Sequence, residues 1–489
     1  MSGPRERLLY VPCIQRSPGK HDYLATVDVD PSSPTRLRVV HRLHVPNPRD
    51  ELHHSGWDAC SSCHCDPTVR RSHLVLPCLN SDRIYVVNVS EPREPRLAAV
   101  VEPEEMHAVD CGAPHTSHCL ASGEIMISTM GNAEGDARGS FVLLDAKTFQ
   151  FKGTWPKDDQ TAPMGYDFWY QPYHNVMIST EWGAPKAFRT GFQLSHLQEG
   201  LYGRRLNVWD WEERVLKQSI DLGEDGKIPL EVRFLHDPKE AQGFVGCALS
   251  SSVFRFFKGE SGEWEAEKVI QVRPKTVAGW ALPEMPGLIT DILISLDDRY
   301  LYFSNWLQGD IRQYDITDRA HPKLVGQVFV SGALVKGGPV TLVHDPEGRE
   351  QPEKLTVKGV EVEGGPQMIQ LSLDGKRLYL TTSLFSAWDA QFYPDMLEYG
   401  RPFRKGSVML QIDVDTENGG LTVNPDFLVD FGQEPDGPVL AHEIRPKRKG
   451  TERDLPSLSE EIGENVVHEE DHENCRKDVK DGLKVVDAK

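Results

Sequence analysis

RYLYFSNW (residues 299–306) and DIRQYDITD (310–318) are two short β-rich runs separated by a three-residue turn. Aromatic and β-branched residues alternate with small or polar ones, and Gly, Asp and Asn bound each run, which favours strand over helix. The pairing recurs along the chain. RLLYVPCI (7–14) precedes DYLATVDVD (22–30), HLVLPCL (73–79) precedes DRIYVVNVS (82–90), and the last pair is RLYLTTSLF (377–385) with GSVMLQIDVD (406–415), seven copies in all. A third apolar run often follows, as in KLVGQVFV (323–330), and another often precedes, as in ITDILISL (289–296). Four strands per unit in seven units predicts an all-β fold, a seven-bladed β-propeller with loop insertions. A row of independent sandwiches is the competing arrangement, and the lack of linkers between copies argues against it.

The 489 residues carry a formal charge of −20, with 39% hydrophobic residues, 41 Gly and 34 Pro. This composition suits a turn-rich globular body with a real core. The acidic balance argues against nucleic acid or an anionic membrane as the main partner, since both need a basic face. MSGPRERLLYVPC at the N-terminus has no apolar signal-peptide core, and no stretch approaches eighteen uninterrupted apolar residues, so an intracellular, soluble protein is expected. From residue 445 onward aromatic residues are absent and charge dominates. The expected organisation is therefore a propeller over residues 5–445 and a disordered acidic tail over 446–489. PKRK (446–449) reads as a solvated charge run in preference to a nuclear-import patch.

In a propeller the first strand of each blade lines the central channel, so residues at the start of those strands converge from far apart in sequence. Counting back from each first run aligns His115, Asp167, Glu231, Asp291 and Gln367. LHHSGW (52–57) precedes the second blade and LAHEIR (440–445) follows the seventh, where the ring closes. The channel mouth then collects His53 or His54, His115, His118 and His442 with several carboxylates. Neutral imidazoles in such a cluster suit copper, zinc or iron, with carboxylates holding ring orientation. His174 and His236 fall near turns, and His321, His344, His468 and His472 read as exposed.

DELHHSGWDACSSCHCD (50–66) also gathers cysteines. Cys60, Cys63 and Cys65 with His64 or His73 could bind structural zinc, although the usual second half of a zinc pair is missing. They could also be accessible thiols that bind soft elements or relay electrons, or inert packed residues; a thioredoxin-like role is weakened by the lack of a βαβ setting. Cys78, Cys119 and Cys247 lie in apolar strand runs and are expected in the core. Nine cysteines in a reducing compartment make a poor disulfide frame. No G-x-x-x-x-G-K-[ST] phosphate loop and no G-x-S-x-G nucleophile elbow is present.

LLYVPCI, DYLATVDVD, DELHHSGWDACSSC, HTSHCLASGE, GYDFWYQPYHNVMISTEW, EMPGLITDILISLDDRYLYFSNWLQGDIRQYDI, GGPQMIQLSLDGKRLYLTTSL and AHEIR together resemble the selenium-binding protein family, also called methanethiol oxidases, from about residue 5 to residue 445. The resemblance implies a seven-bladed propeller, a copper-dependent thiol oxidase and bound selenium. The implied reaction converts methanethiol, O2 and water to formaldehyde, hydrogen sulfide and hydrogen peroxide. It also implies a mainly cytosolic protein with nuclear and peripheral-membrane pools, and a role in intra-Golgi transport.

Two departures stand out. Vertebrate members carry a cysteine proposed as the selenium site where this chain has Leu37, which turns attention to Cys60 or Cys63. The short cysteine-bearing C-terminal segment of the family is replaced by PKRKG and the acidic tail.

The expected centre is copper held by a subset of His53, His54, His115, His118 and His442, open to a small thiol and O2. Asp167, Glu231 or Asp291 is expected to move protons. The rival is a non-catalytic scaffold that binds selenium or electrophiles, presents its propeller loops to protein partners and serves transport.

Overall fold

The computed structural model describes residues 3–17, 19–59, 70–396 and 405–447. The paired runs at 299–318 are the middle of one antiparallel sheet, ordered Ile289–Ile294, Tyr300–Asn305, Asp310–Asp315 and Lys323–Phe329. Its second strand is buried along its whole length because neighbouring sheets cover both faces, so the sequence there is nearly continuous in apolar residues. Its fourth strand is largely exposed or half-buried, and its sequence is correspondingly mixed.

Local chemistry fixes the hairpin before the second strand. Ser295 Oγ donates to Asp297 Oδ1 at 2.6 Å and accepts from Tyr300 N at 2.8 Å. Ser372 repeats this with Asp374 Oδ1 at 2.6 Å and Arg377 N at 3.0 Å. The repeated S-L-D-[DG] is thus a turn signal in which a hydroxyl and a carboxylate replace strand partners.

Six four-stranded antiparallel sheets and one five-stranded sheet of this kind are present among the described residues, with two small sheets in loops. Their innermost strands touch in sequence: Gly56–Trp57 meets Gly112–Cys119, Phe168–Gln171 meets Pro229–Phe234, which meets Ile289–Ile294, which meets Ile369–Leu371. This is a propeller-like arrangement of four-stranded antiparallel sheets, the class of fold the repeat predicts. The five-stranded sheet joins the two ends of the chain. Leu440–Ala441 pairs with Cys13–Ile14, Arg445–Lys447 pairs with Leu8–Tyr10, and His442 N donates to Pro12 O between them. The C-terminal segment so covers an edge that would otherwise be open. The described fold runs two residues past the expected boundary at 445; residues 448–489, with the tail expected there, lie outside the described residues.

Cys78, Cys119 and Cys247 are core residues as expected, and Cys13 and Cys111 join them. Among the described residues no helix is long and apolar enough to cross a membrane.

Two insertions cover the channel mouth. One holds the short helix Pro185–Phe188, the other the helix Ser386–Phe392. They are stitched together by Trp388 Nε1 donating to Phe188 O at 3.0 Å and by Gln391, which accepts from Phe192 N at 2.8 Å and donates to its carbonyl at 2.9 Å.

Buried carboxyls tie this cover to the first sheets. Asp389 accepts from Leu384 N and Ser383 Oγ, Glu51 accepts from Ser386 N and Oγ, and Asp22 accepts from Gln15 N and Leu52 N. Burial pushes each of the three up to about 7. Between their ordinary range near 4 and pH 7 the folded state therefore holds protons the unfolded chain has released. Stability from these groups is full below about pH 4 and is lost as pH rises towards 7. Carboxylates with depressed values, such as Asp298 and Asp28, contribute their full stability throughout that window and lose it only as pH falls below about 4. Asp389→Asn, whose amide oxygen can accept from Leu384 N while its NH2 donates to the Ser383 hydroxyl, should match the parent at pH 4 and exceed it at pH 8 by a few kcal/mol, since each tenfold change in a carboxyl's proton affinity is worth about 1.4 kcal/mol. Urea unfolding at the two pH values reads this, and an equal effect at both would refute it.

Candidate metal centre

The segment Glu51–Trp57 enters the channel mouth beside the innermost strand Gly112–Cys119. Gly56 allows that approach, since a Cβ there would lie 2.4 Å from Ser117 O. A register shift between Pro114 and Ser117 presents His115 to the same space. His442 arrives from the closing C-terminal segment. His53, His54, His115 and His442 are all buried.

Their rings form one cluster. His53 stacks on His442 at 3.8 Å, His54 lies 4.0 Å from His115, and His53 lies 5.2 Å from His115 between centroids. His53, His54 and His115 each offer a ligand atom within 4.8 Å of the others. Burial holds His53, His54 and His115 well below the usual imidazole range, and His442 down to about 4. The rings are neutral at neutral pH and carry lone pairs.

Hydrogen bonds assign several of those lone pairs. His442 Nδ1 donates to Ser383 O at 2.9 Å, which leaves its Nε2 as acceptor. His115 Nδ1 faces Thr116 Oγ1 at 3.0 Å, and His54 Nδ1 faces Glu443 Oε1 at 3.4 Å. Glu443 is itself held by the Ser55 hydroxyl at 2.5 Å and Arg445 at 2.6 Å. The remaining atoms, His53 Nδ1, His54 Nε2, His115 Nε2 and His442 Nε2, are buried without a hydrogen-bond partner. Leaving one such atom unsatisfied costs about 1–3 kcal/mol, so four at one place call for a ligand.

His118, three residues beyond His115, packs against Phe168 at 4.9 Å and Trp169 at 4.7 Å, and is not in the three-histidine group. His174 ends a turn of 3₁₀ helix, His236 pairs with Asp298 at 2.8 Å, and His321 and His344 are exposed. Cys60 and Cys63 lie outside the described residues.

Asp167, Glu231 and Asp291 are brought together around Arg233. The guanidinium donates to Asp167 at 2.8 Å and Glu231 at 2.7 Å and stands 3.9 Å from Asp291. Three carboxyls share one cation, so they divide the protons. Burial raises all three, but Arg233 and the Val232 N–H outweigh it at Asp167, which stays below the usual range. Burial and the Asp167 charge hold Glu231 well above it, and burial lifts Asp291 to about 7. Glu231 Oε1 also lies 3.9 Å from His54 Nε2, linking the carboxyl group to the histidines. Gln367 occupies the equivalent position of the next sheet, fully buried.

Sequence alone did not single out Arg233, although its place two residues after Glu231 on one strand puts it on the same face. Nor did it reveal the aromatic cover. Tyr166, Trp182 and Trp388 line, with His53, a small apolar cavity of about 20 Å³ at the channel mouth.

The fold and site together define a β-propeller with a buried histidine cluster of metal-binding character at its channel mouth. The model of the 56 kDa selenium-binding protein (SBP56) family matches residues 1–454. The chain belongs to the SBP56 family. It is 65% identical over 450 residues to a methanethiol oxidase of Xenopus tropicalis, covering 91% of this chain and 94% of that one. It is 63% identical over 449 residues, with the same coverage, to a methanethiol oxidase of Homo sapiens. An X-ray structure of a hypothetical selenium-binding protein from Sulfolobus tokodaii superposes with a TM-score of 0.79 at 37% identity, over 91% of this chain and 94% of that one. A periplasmic gluconolactonase of Pseudomonas aeruginosa, at 12% identity and a TM-score of 0.54 over 90% of this chain and 98% of that one, shares the fold alone.

Proposed function

We propose that this chain is a copper-dependent methanethiol oxidase that converts methanethiol, O2 and water to formaldehyde, hydrogen sulfide and hydrogen peroxide. The observation that carries the reading is the set of four buried imidazole nitrogens without partners, in a chain more than 60% identical to proteins named for this activity. The donor set fits the metal. Buried neutral imidazoles with carboxyls beside them suit copper, which also favours a thiolate. His53, His54, His115 and His442 would hold it, and when bound it supplies the one-electron exchange with O2 that no side chain here provides.

The chain's own groups supply the rest. Glu443 fixes the orientation of His54. Asp167, held ionised by Arg233, would accept a proton, and protonated Glu231, hydrogen-bonded to it, would give one back. Two carboxyls whose environments push them apart make an acid and a base in one site. Asp291 is a reserve for the same proton. Tyr166, Trp182 and Trp388 exclude water from the cavity beside His53. Cys60 and Cys63 are the candidates for selenium binding.

The purified chain, loaded with copper, should retain about one metal ion per chain and form peroxide and formaldehyde in equal amounts from methanethiol. A chain that binds copper at no fixed stoichiometry, or makes neither product once loaded, would overturn the reading.

A further inference from the structure

Five innermost strands are entered through a residue in the left-handed backbone region. Glu51 (φ 59°), Ile228 (59°), Leu288 (59°) and Gly364 (83°) each stand three positions before the residue they deliver to the channel, respectively His54, Glu231, Asp291 and Gln367. Ala113 (51°) stands two before His115. The turn into the channel requires this conformation, and glycine adopts it without cost, as at Gly364. A β-branched or long apolar side chain does not.

Ile228 and Leu288 nevertheless occupy it, in adjacent sheets, and their surroundings hold them there. Ile228 N donates to Gly203 O at 2.9 Å and Ala248 N donates to Ile228 O at 2.7 Å. Leu288 N donates to Ser251 Oγ at 3.2 Å and Trp306 N donates to Leu288 O at 2.9 Å. Strain of this kind persists where the surrounding structure over-determines it, and it clusters at functional sites. Both residues are buried, and both line the cavity that His53 also lines. Leu230, Leu384, Trp182 and Trp388 complete much of its wall, and its volume of about 20 Å³ admits a group the size of a methyl or a water. His53 Nδ1, buried without a partner, belongs to the same corner of the channel.

We infer that this cavity receives the alkyl group of the substrate thiol, and that Ile228 and Leu288 are specificity-determining residues that restrict it to the smallest thiols. The inference rests on the oxidase reading of the histidine cluster. The sulfur then lies towards the imidazoles while the carbon is enclosed by hydrocarbon. A longer chain collides with two side chains whose positions are fixed by strained backbone and cannot swing aside.

Ile228→Gly and Leu288→Gly test this, because each removes the side chain where the backbone already suits glycine. The first readout needs no turnover. Dimethyl sulfide and methyl propyl sulfide, which lack a thiol proton, are titrated into the protein and followed by tryptophan fluorescence, since Trp182 and Trp388 border the cavity. The parent should bind the first in preference to the second. Each variant should gain about tenfold for methyl propyl sulfide relative to dimethyl sulfide, the size expected for two newly accommodated methylenes. The second readout is kcat/KM, where the ratio for 1-propanethiol over methanethiol should rise by a similar factor.

Equal changes for both sulfides, or an unchanged thiol ratio in an enzyme that still oxidises methanethiol, would overturn the pocket and leave the oxidase reading standing. Sulfide binding in the expected order by a copper-loaded protein that oxidises no thiol would overturn the oxidase reading and the named occupant with it.

Discussion

With His115 replaced by leucine, the protein is expected to keep its fold and lose its metal. His115 Nε2 has no hydrogen-bond partner, so an apolar side chain of similar size removes that unsatisfied atom, which offsets the loss of the hydrogen bond between Nδ1 and Thr116 Oγ1. Urea unfolding of the metal-free variant should therefore fall within about 1 kcal/mol of the metal-free parent. Copper affinity should drop by at least about a thousandfold, beyond the 10–100-fold typical of losing an outer partner. Peroxide formation from methanethiol should drop with it. Glu443→Gln should show the milder loss, roughly 10–100-fold, because it removes no imidazole and acts through the orientation of His54 and the Ser55 and Arg445 contacts that hold it. If His115→Leu unfolds the chain, the histidine is a structural residue. If it keeps copper and activity, the metal lies elsewhere.

Arg233→Met should be the most damaging single change to stability at the channel. The arginine is 16% exposed at its side chain and faces Asp167, Glu231 and Asp291, whose side chains are at most 3% exposed. Removing it leaves buried carboxyls that no longer share a counter-ion, which costs about 3–5 kcal/mol in comparable cases. Adding Asp167→Asn should restore a large part of that loss, since the pair, not the position, carries the cost. Urea unfolding of the single and double variants measures both. A single variant within about 1 kcal/mol of the parent would mean that the carboxyls take up protons at no significant expense and that Arg233 does not govern their charge.

The sequence carried more of the site than of its surroundings, for a physical reason. Every blade begins with the same strand, so His115, Asp167, Glu231, Asp291 and Gln367 share a repeat position and can be aligned without knowing any contact, while His53 or His54 and His442 are placed by the segments that flank the second and last blades. Periodicity conveys where a residue sits. It does not convey how charges at one level divide their protons, which depends on Arg233 and on the number of carboxyls facing it. It also misses the cover. Phe188 and Trp388 meet across 200 residues through helices of four and seven residues, too short to show a 3.6-residue pattern. His118 illustrates the opposite limit: it shares a strand with His115, yet its ring lies against Phe168 and Trp169.

The first sheet is finished by residues 440–447, and one of the four clustered imidazoles rides on that same segment. A ribosome that has made the first 430 residues has produced all the other blades' inner strands and three of the histidines, yet no closed ring and no complete donor set. A nascent or prematurely terminated chain lacks both the strands that seal the first sheet and the fourth imidazole of the cluster.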